Sequence, residues 1–219
     1  MIVVIILAVI GALIVGWYLD RKRREELAAW ALAKGWRLES SRVRGLPEEY
    51  PGLKLLQLGH SREGKNEITG TYAGRPLRLI DYTYVTGSGK HRSTHKVGLV
   101  IMQTGYPVIP LTIRRENAMD RVGEFFGAGD IDFESAEFSR TFHVTSSDRK
   151  WAFDVIHPRA MDLLLRGPAF AVSFGFQEIA VHKSGHFAPA DYDRALALAD
   201  SLYRMIPDYV VQQMKGQPR

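Results

Sequence analysis

Residues 1–19 (MIVVIILAVIGALIVGWYL) carry no charged side chain, and 17 of the 19 are apolar, Gly11 and Gly16 being the exceptions. No other feature constrains the chain as strongly. As an α-helix the run rises about 28 Å at about 1.5 Å per residue, close to the ~30 Å hydrocarbon core of a bilayer. The Ile, Leu and Val residues between Ile2 and Val15 together favour insertion by about 3–6 kcal/mol. Trp17 and Tyr18 stand where an interfacial aromatic belt is expected. A cleaved signal peptide has a basic start, a shorter apolar core and small residues before the cut. Here the apolar run begins at residue 2, and Asp20-Arg21-Lys22-Arg23-Arg24 follows it directly. The expectation is an uncleaved transmembrane helix over 1–19.

Lys and Arg beside a span are retained on the cytoplasmic side. With almost nothing ahead of the span to compete, the tetrad Arg21–Arg24 predicts an N-terminus outside and a C-terminal domain in the cytoplasm of a single-pass protein of the cell membrane. Trp17, Tyr18, Arg21, Lys22, Arg23 and Arg24 form the predicted membrane-surface set, and the lipid bilayer is the first predicted partner. Ala8, Ala12 and Gly16 are four apart, so they share one helix face, and small residues at that spacing let membrane helices approach closely. They are the candidate face for a homo-oligomer.

Without the apolar run, about 42% of the remaining 200 residues are apolar, enough for a packed core. Cysteine is absent, which excludes disulfide scaffolds, Cys-ligated metals and thiol nucleophiles. Leu27, Trp30, Ala31 and Lys34 continue a 3.6-residue stripe and Gly35 can cap it, so residues 20–35 read as a juxtamembrane helical stalk. Trp36–Glu39 reads as a short strand. Residues 41–64, rich in Gly and Pro, read as loop with a helical turn near Leu53–Leu58. Four strands are expected between 66 and 114 as an antiparallel meander: around Ile68–Tyr72, at 77–85, at Val97–Met102 and at 108–113. A helix follows with Ala118, Met119, Val122, Phe125 and Phe126 on one face. Next come a strand at Thr141–Val144 and a helix capped by Ser147-Asp148. A second helix opens at Pro158, and a hairpin brings Phe170–Phe174 back into Ile179–Val181. The last helix ends at Pro207. Residues 36–210 are thus one cytoplasmic α+β domain, a mainly antiparallel sheet with packed helices, and 211–219 a mobile tail.

The stretch Phe133–Leu165 carries Phe133, Glu134, Ser135, Phe138, Arg140, Phe142, Val144, Asp148, Pro158 and Met161 in a recognisable order. It resembles a family of uncharacterised bacterial single-pass membrane proteins that carry a domain of unknown function. The likeness extends over most of residues 20–205 and is specific over those 33 residues. It implies the same architecture and brings no activity, cofactor or substrate.

Chemical motifs are sparse. Gly87-Ser88-Gly89-Lys90 fails as a phosphate loop: Tyr84 holds the place of its first Gly, His91 follows the Lys, and no helix starts there. Lys90, His91, Arg92, His95 and Lys96 form the densest basic cluster beyond the tetrad and mark a candidate interaction hairpin. A net charge of +5 with no recognition motif argues against nucleic acid. The pairs His91/His95 and His182/His186 have helical metal-ligand spacing but no helix to use it, so they read as surface histidines and no metal is expected. Asp130, Asp132 and Glu134 alternate as on one strand face, with Arg140 near enough to neutralise them. Ser135, Ser139 and His143 lack the context of a nucleophile elbow. No cofactor and no catalytic residue is assigned. The function expected is a membrane-anchored binding or scaffold module with a protein partner. The alternatives are a domain that senses anionic lipid surfaces and a hydrolase with an unrecognised site.

Overall fold

A computed structural model describes residues 1–115 and 129–216, with the side chains at 2–9 and 12–13 left out. The first helix, α1 (Ile2–Ala33), is continuous and stops where Gly35 takes φ +70°, a value that favours glycine. Among the described residues no helix is long and apolar enough to cross a membrane. Most side chains of the predicted span lie outside that description.

The chain then forms β1 (Arg37–Glu39), the short helices α2 (Leu46–Glu49) and α3 (Lys54–Gln57), β2 (His60–Tyr72), β3 (Arg75–Thr86), β4 (Ser93–Gln103) and β5 (Leu111–Arg115). After 128 come α4 (Ala136–Thr141), β6 (Phe142–Ser146), α5 (Arg149–Val155), α6 (Pro158–Arg166), β7 (Ala171–Phe174), β8 (Glu178–Ser184), α7 (Pro189–Met205) and α8 (Asp208–Gly216). The strands make one eight-stranded antiparallel sheet in the order β1-β2-β3-β4-β8-β7-β5-β6. The fold is α+β, as the alternation of strand runs and helices predicts.

Strand alternation divides the core in two. Leu77, Leu79, Val100, Met102, Val172, Phe174, Ile179 and Val181 project to the face covered by α1, α5, α6, α7 and α8. Ile80, Tyr82, Tyr84, Val97, Leu99 and Ile101 project to the other face, where Leu46, Leu53, Leu55, Leu56 and Leu58 from the α2–α3 segment cover them.

Several expectations are corrected. The predicted four-strand meander is broken at its last member: β8 occupies the free edge of β4, and β5 pairs instead with β7 and β6. Pro107 and Pro110 lack the N–H a ladder needs, so 108–110 stays outside the strand. Val108 N donates to Phe176 O at 2.8 Å, which carries the linker past the β7–β8 turn. β2 begins at His60, inside the predicted loop. The tail is corrected through Gly216: α8 buries Val210 and Met214 after Pro207. Asp130–Glu134 forms no strand. The predicted helix over Ala118–Phe126 and the last residues, 217–219, lie outside the described residues. The stalk packs on the domain: Leu27 and Ala31 are buried in the larger core, Trp30 stacks on Tyr192 at 5.6 Å, and Lys34 bridges Asp193 at 2.8 Å.

Candidate functional site

The most developed polar site joins α1 to the sheet. Asp81 is the only carboxylate in the strand LRLIDYTYV and is 3% exposed, pointing at α1. Arg23 Nη1 donates to Asp81 Oδ2 at 2.5 Å and Arg23 Nη2 to Asp81 Oδ1 at 2.8 Å, a two-pronged pair. The same Nη2 donates to Phe187 O at 3.0 Å. Asn66 Nδ2 donates to Asp81 Oδ2 at 2.8 Å, and His186 Nδ1 stands 3.3 Å from Oδ1. Burial alone would raise the Asp81 pKa; the His186 ring, the Arg23 guanidinium and the Asn66 amide outweigh it and hold it at about 2. Gly98 sits opposite Asp81 on β4. A Cβ there would meet the Phe187 ring at 2.7 Å, so glycine is what allows that loop to close over the pair. The sequence pattern predicts Arg23 as a topology signal and a membrane-surface residue; the structure corrects the second role, since its guanidinium turns inward to Asp81, a residue that sequence reasoning missed. The available signal was a lone carboxylate inside an apolar β-pattern, which a fold keeps only when it is paired.

The other residues of the basic tetrad behave differently. Arg21 pairs with Glu25 at 2.9 Å and lies 5.6 Å from the Trp17 ring. Lys22 is exposed and Arg24 half-buried. Trp17 and Tyr18 are exposed. Gly16 has open space around it, whereas the side chains of Ala8 and Ala12 are not described.

The basic hairpin is only partly a tip. Lys90, His91 and Arg92 are exposed in the turn between β3 and β4, while His95 and Lys96 belong to β4 itself. His95 is tied down, with Nε2 2.8 Å from Thr86 Oγ1 and its ring stacked on Tyr84 at 4.7 Å. His60 Nε2 lies 3.0 Å from Gly87 O and braces the turn.

The histidine readings also change. His182 is 7% exposed on β8, a correction to its reading as a surface residue, and burial pushes its imidazole down to about 4. An unfolded histidine titrates near pH 6.5, so the unfolded chain takes up the proton first as pH falls. Stability conferred by neutral His182 is complete above about pH 6.5 and is lost on approach to about pH 4. We expect a drop of about 2–3 kcal/mol between about pH 7 and pH 4.5 from this group, absent in His182→Asn, in denaturant titrations at the two pH values. Unchanged pH dependence in the variant would refute this. Among the described residues no group of three His, Asp or Glu could hold a metal ion. Ser135 Oγ caps α4 by accepting from Phe138 N at 3.2 Å, and Ser139 Oγ is bound to the Phe133 backbone, so both hydroxyls are engaged in local backbone contacts. His143 Nδ1 instead lies 3.3 Å from Asp130 Oδ2. His157 faces Met205 O at 3.0 Å.

A cleft of about 590 Å³ opens beside α6. Phe133, Phe153, Ile156, Met161 and Leu165 supply its apolar lining, Glu134 adds a carboxylate, and Asp162 adds a second that is paired with Arg166 at 2.8 Å. Such a surface fits an apolar side chain flanked by a basic one.

No protein-family model matches the chain, and no curated protein matches it in sequence. In three dimensions the chain is similar to the crystal structure of the mycobacterial trehalose monomycolate transport factor A, TtfA. The TM-score is 0.60 at 14% identity, covering 85% of this chain and 97% of that one. At this identity the likeness is one of fold alone.

Proposed function

We propose that the chain is a membrane-anchored, non-enzymatic binding or scaffold module whose α+β domain lies on the cytoplasmic side, with the N-terminus of α1 outside. The observation that carries this is the continuity of α1. One helix begins in the uncharged run and ends with Leu27 and Ala31 in the domain core. An anchor built this way holds the domain at a fixed place beside the bilayer and raises the effective concentration of anything else held there. The Ala8, Ala12 and Gly16 face is proposed as the contact between two such helices. The apolar cleft beside α6 is proposed as the binding surface, its partner a protein segment with an apolar residue next to a basic one. The transport role named for TtfA supports a binding reading over a catalytic one, and the resemblance of Phe133–Leu165 to anchored bacterial proteins agrees with it.

The full chain with a photoreactive residue at Met161 tests the reading in native membranes. We expect the chain to stay with the membrane through a carbonate wash and to give a discrete protein adduct from Met161. The exposed position Glu39 should give none. Release by carbonate would overturn the anchor, and a retained chain with no Met161-specific adduct would overturn the binding surface.

A further inference from the structure

We propose that the β3–β4 hairpin end of the sheet rests on the anionic phospholipid headgroups of the membrane that holds α1. This rests on the anchoring reading and adds a surface to it. Two contacts set the direction of α1 against the sheet. Trp36, just past its end, donates from Nε1 to Thr71 O at 3.2 Å, and Thr71 pairs with Pro76 at the start of β3. Arg23 meets Asp81, halfway along the same strand. Followed from Trp36 back to Arg23, the chain therefore climbs β3 toward Thr86. Beyond Arg23 the helix continues toward its apolar half on the same heading. Six residues take it from Arg23 to Trp17, about 9 Å, while five strand residues take β3 from Asp81 to Thr86, about 17 Å. Even a tilted hairpin thus reaches the level of the interfacial aromatic pair.

The charges at this end suit that position. No acidic residue occurs from Tyr82 to Arg115. Lys90, His91, Arg92 and Lys96 are exposed, and among the described residues Lys22, Arg24, Lys90, Arg92 and Lys96 make no salt bridge. Elsewhere Arg78, Lys150, Lys183 and Arg204 each hold a carboxylate. The His60–Gly87 and Thr86–His95 contacts stiffen the turn that presents these cations. The Arg23–Asp81 pair fixes the height of the turn relative to the helix. Cations near an anionic surface each strengthen attachment by about fivefold.

The chain has no cysteine, so Ser88→Cys in the full chain carries one fluorophore at the exposed turn. The chain is reconstituted in phosphatidylcholine vesicles with headgroup-nitroxide lipid, with or without about 30% phosphatidylglycerol to charge the surface. We expect strong quenching in the anionic vesicles and weak quenching in the neutral ones, with relief by added salt. The added replacements Lys90→Glu and Arg92→Glu should weaken the quenched state by at least about 25-fold. A chain that floats with the vesicles but shows no quenching, equal quenching in both lipids, or no response to the charge reversal overturns the inference alone. A chain that does not float overturns the anchoring reading and this inference with it.

Discussion

Replacing Arg23 with Met is expected to lower the stability of the folded domain by about 3–5 kcal/mol, the range for removing one partner of a buried ion pair. The size of the effect follows from what stays behind. Asp81 remains 3% exposed beneath the Phe187 loop, with only Asn66 and His186 to meet its charge. Arg23→Lys restores a charge without the two-pronged geometry and should recover part of the loss. The double replacement Arg23→Met with Asp81→Leu removes both charges and should be far milder than Arg23→Met alone, because no unpaired ion is left in the core. Thermal unfolding of the detergent-solubilised chain measures all three. A loss below about 1 kcal/mol for Arg23→Met would place the pair with solvent-screened surface bridges and remove the rigid junction. The pair also has a pH signature. Its folded pKa of about 2 lies below the unfolded value near 3.9. The stabilisation from Asp81, about 2–3 kcal/mol, is thus complete above about pH 4 and is lost as pH falls through 2. Arg23→Met should shift that acid loss to higher pH.

Trp151→Ala is expected to cost about 3–5 kcal/mol, the range for deleting a large buried aromatic. Trp151 is 1% exposed, the largest side chain fully buried on the helix-covered face, and meets Phe174 edge-on with ring centroids 5.8 Å apart. Its own helix is fixed in place by Asp148, whose Oδ1 accepts from Trp151 N at 3.0 Å. The indole Nε1 is buried with no hydrogen-bond partner among the described residues, so Trp151→Phe forfeits volume but none of the polar contacts described. It should lose less than half as much as Trp151→Ala in the same unfolding measurement. Equal losses for the two would show that the cavity is not what sets the cost.

Much of the local structure was legible because local chemistry decides it. Asp148 caps α5 and Pro158 opens α6, each through a group that supplies or omits one backbone hydrogen bond near its own position, and Gly35 ends α1 by taking a positive φ. The β7–β8 hairpin was legible from the alternation of Phe170, Val172 and Phe174 followed by a glycine turn. Pairing between distant strands was not. Val97–Met102 and 108–113 both read as strands, but nothing in either segment says that β8 (Glu178–Ser184) will take the edge between them. The hidden helix α8 followed a proline that only interrupts the helical path. Glu178 is buried, which raises its pKa, and accepts from Phe176 N and Gln177 N, which makes it a turn-closing residue.

The N-terminal apolar run, the basic flank and the alternating strands are properties of consecutive residues, so the amino-acid order alone determined the expected anchor, its orientation and the α+β class. The tertiary structure alone decided that Arg23 turns inward to Asp81, that His182 is buried, and that the hairpin cations stand on the side toward which α1 departs. Each of these joins residues far apart in the chain, and such contacts form only when the whole sheet closes and removes water from them. Burial gives a charge its energetic weight, and it belongs to the assembled fold and not to any single segment.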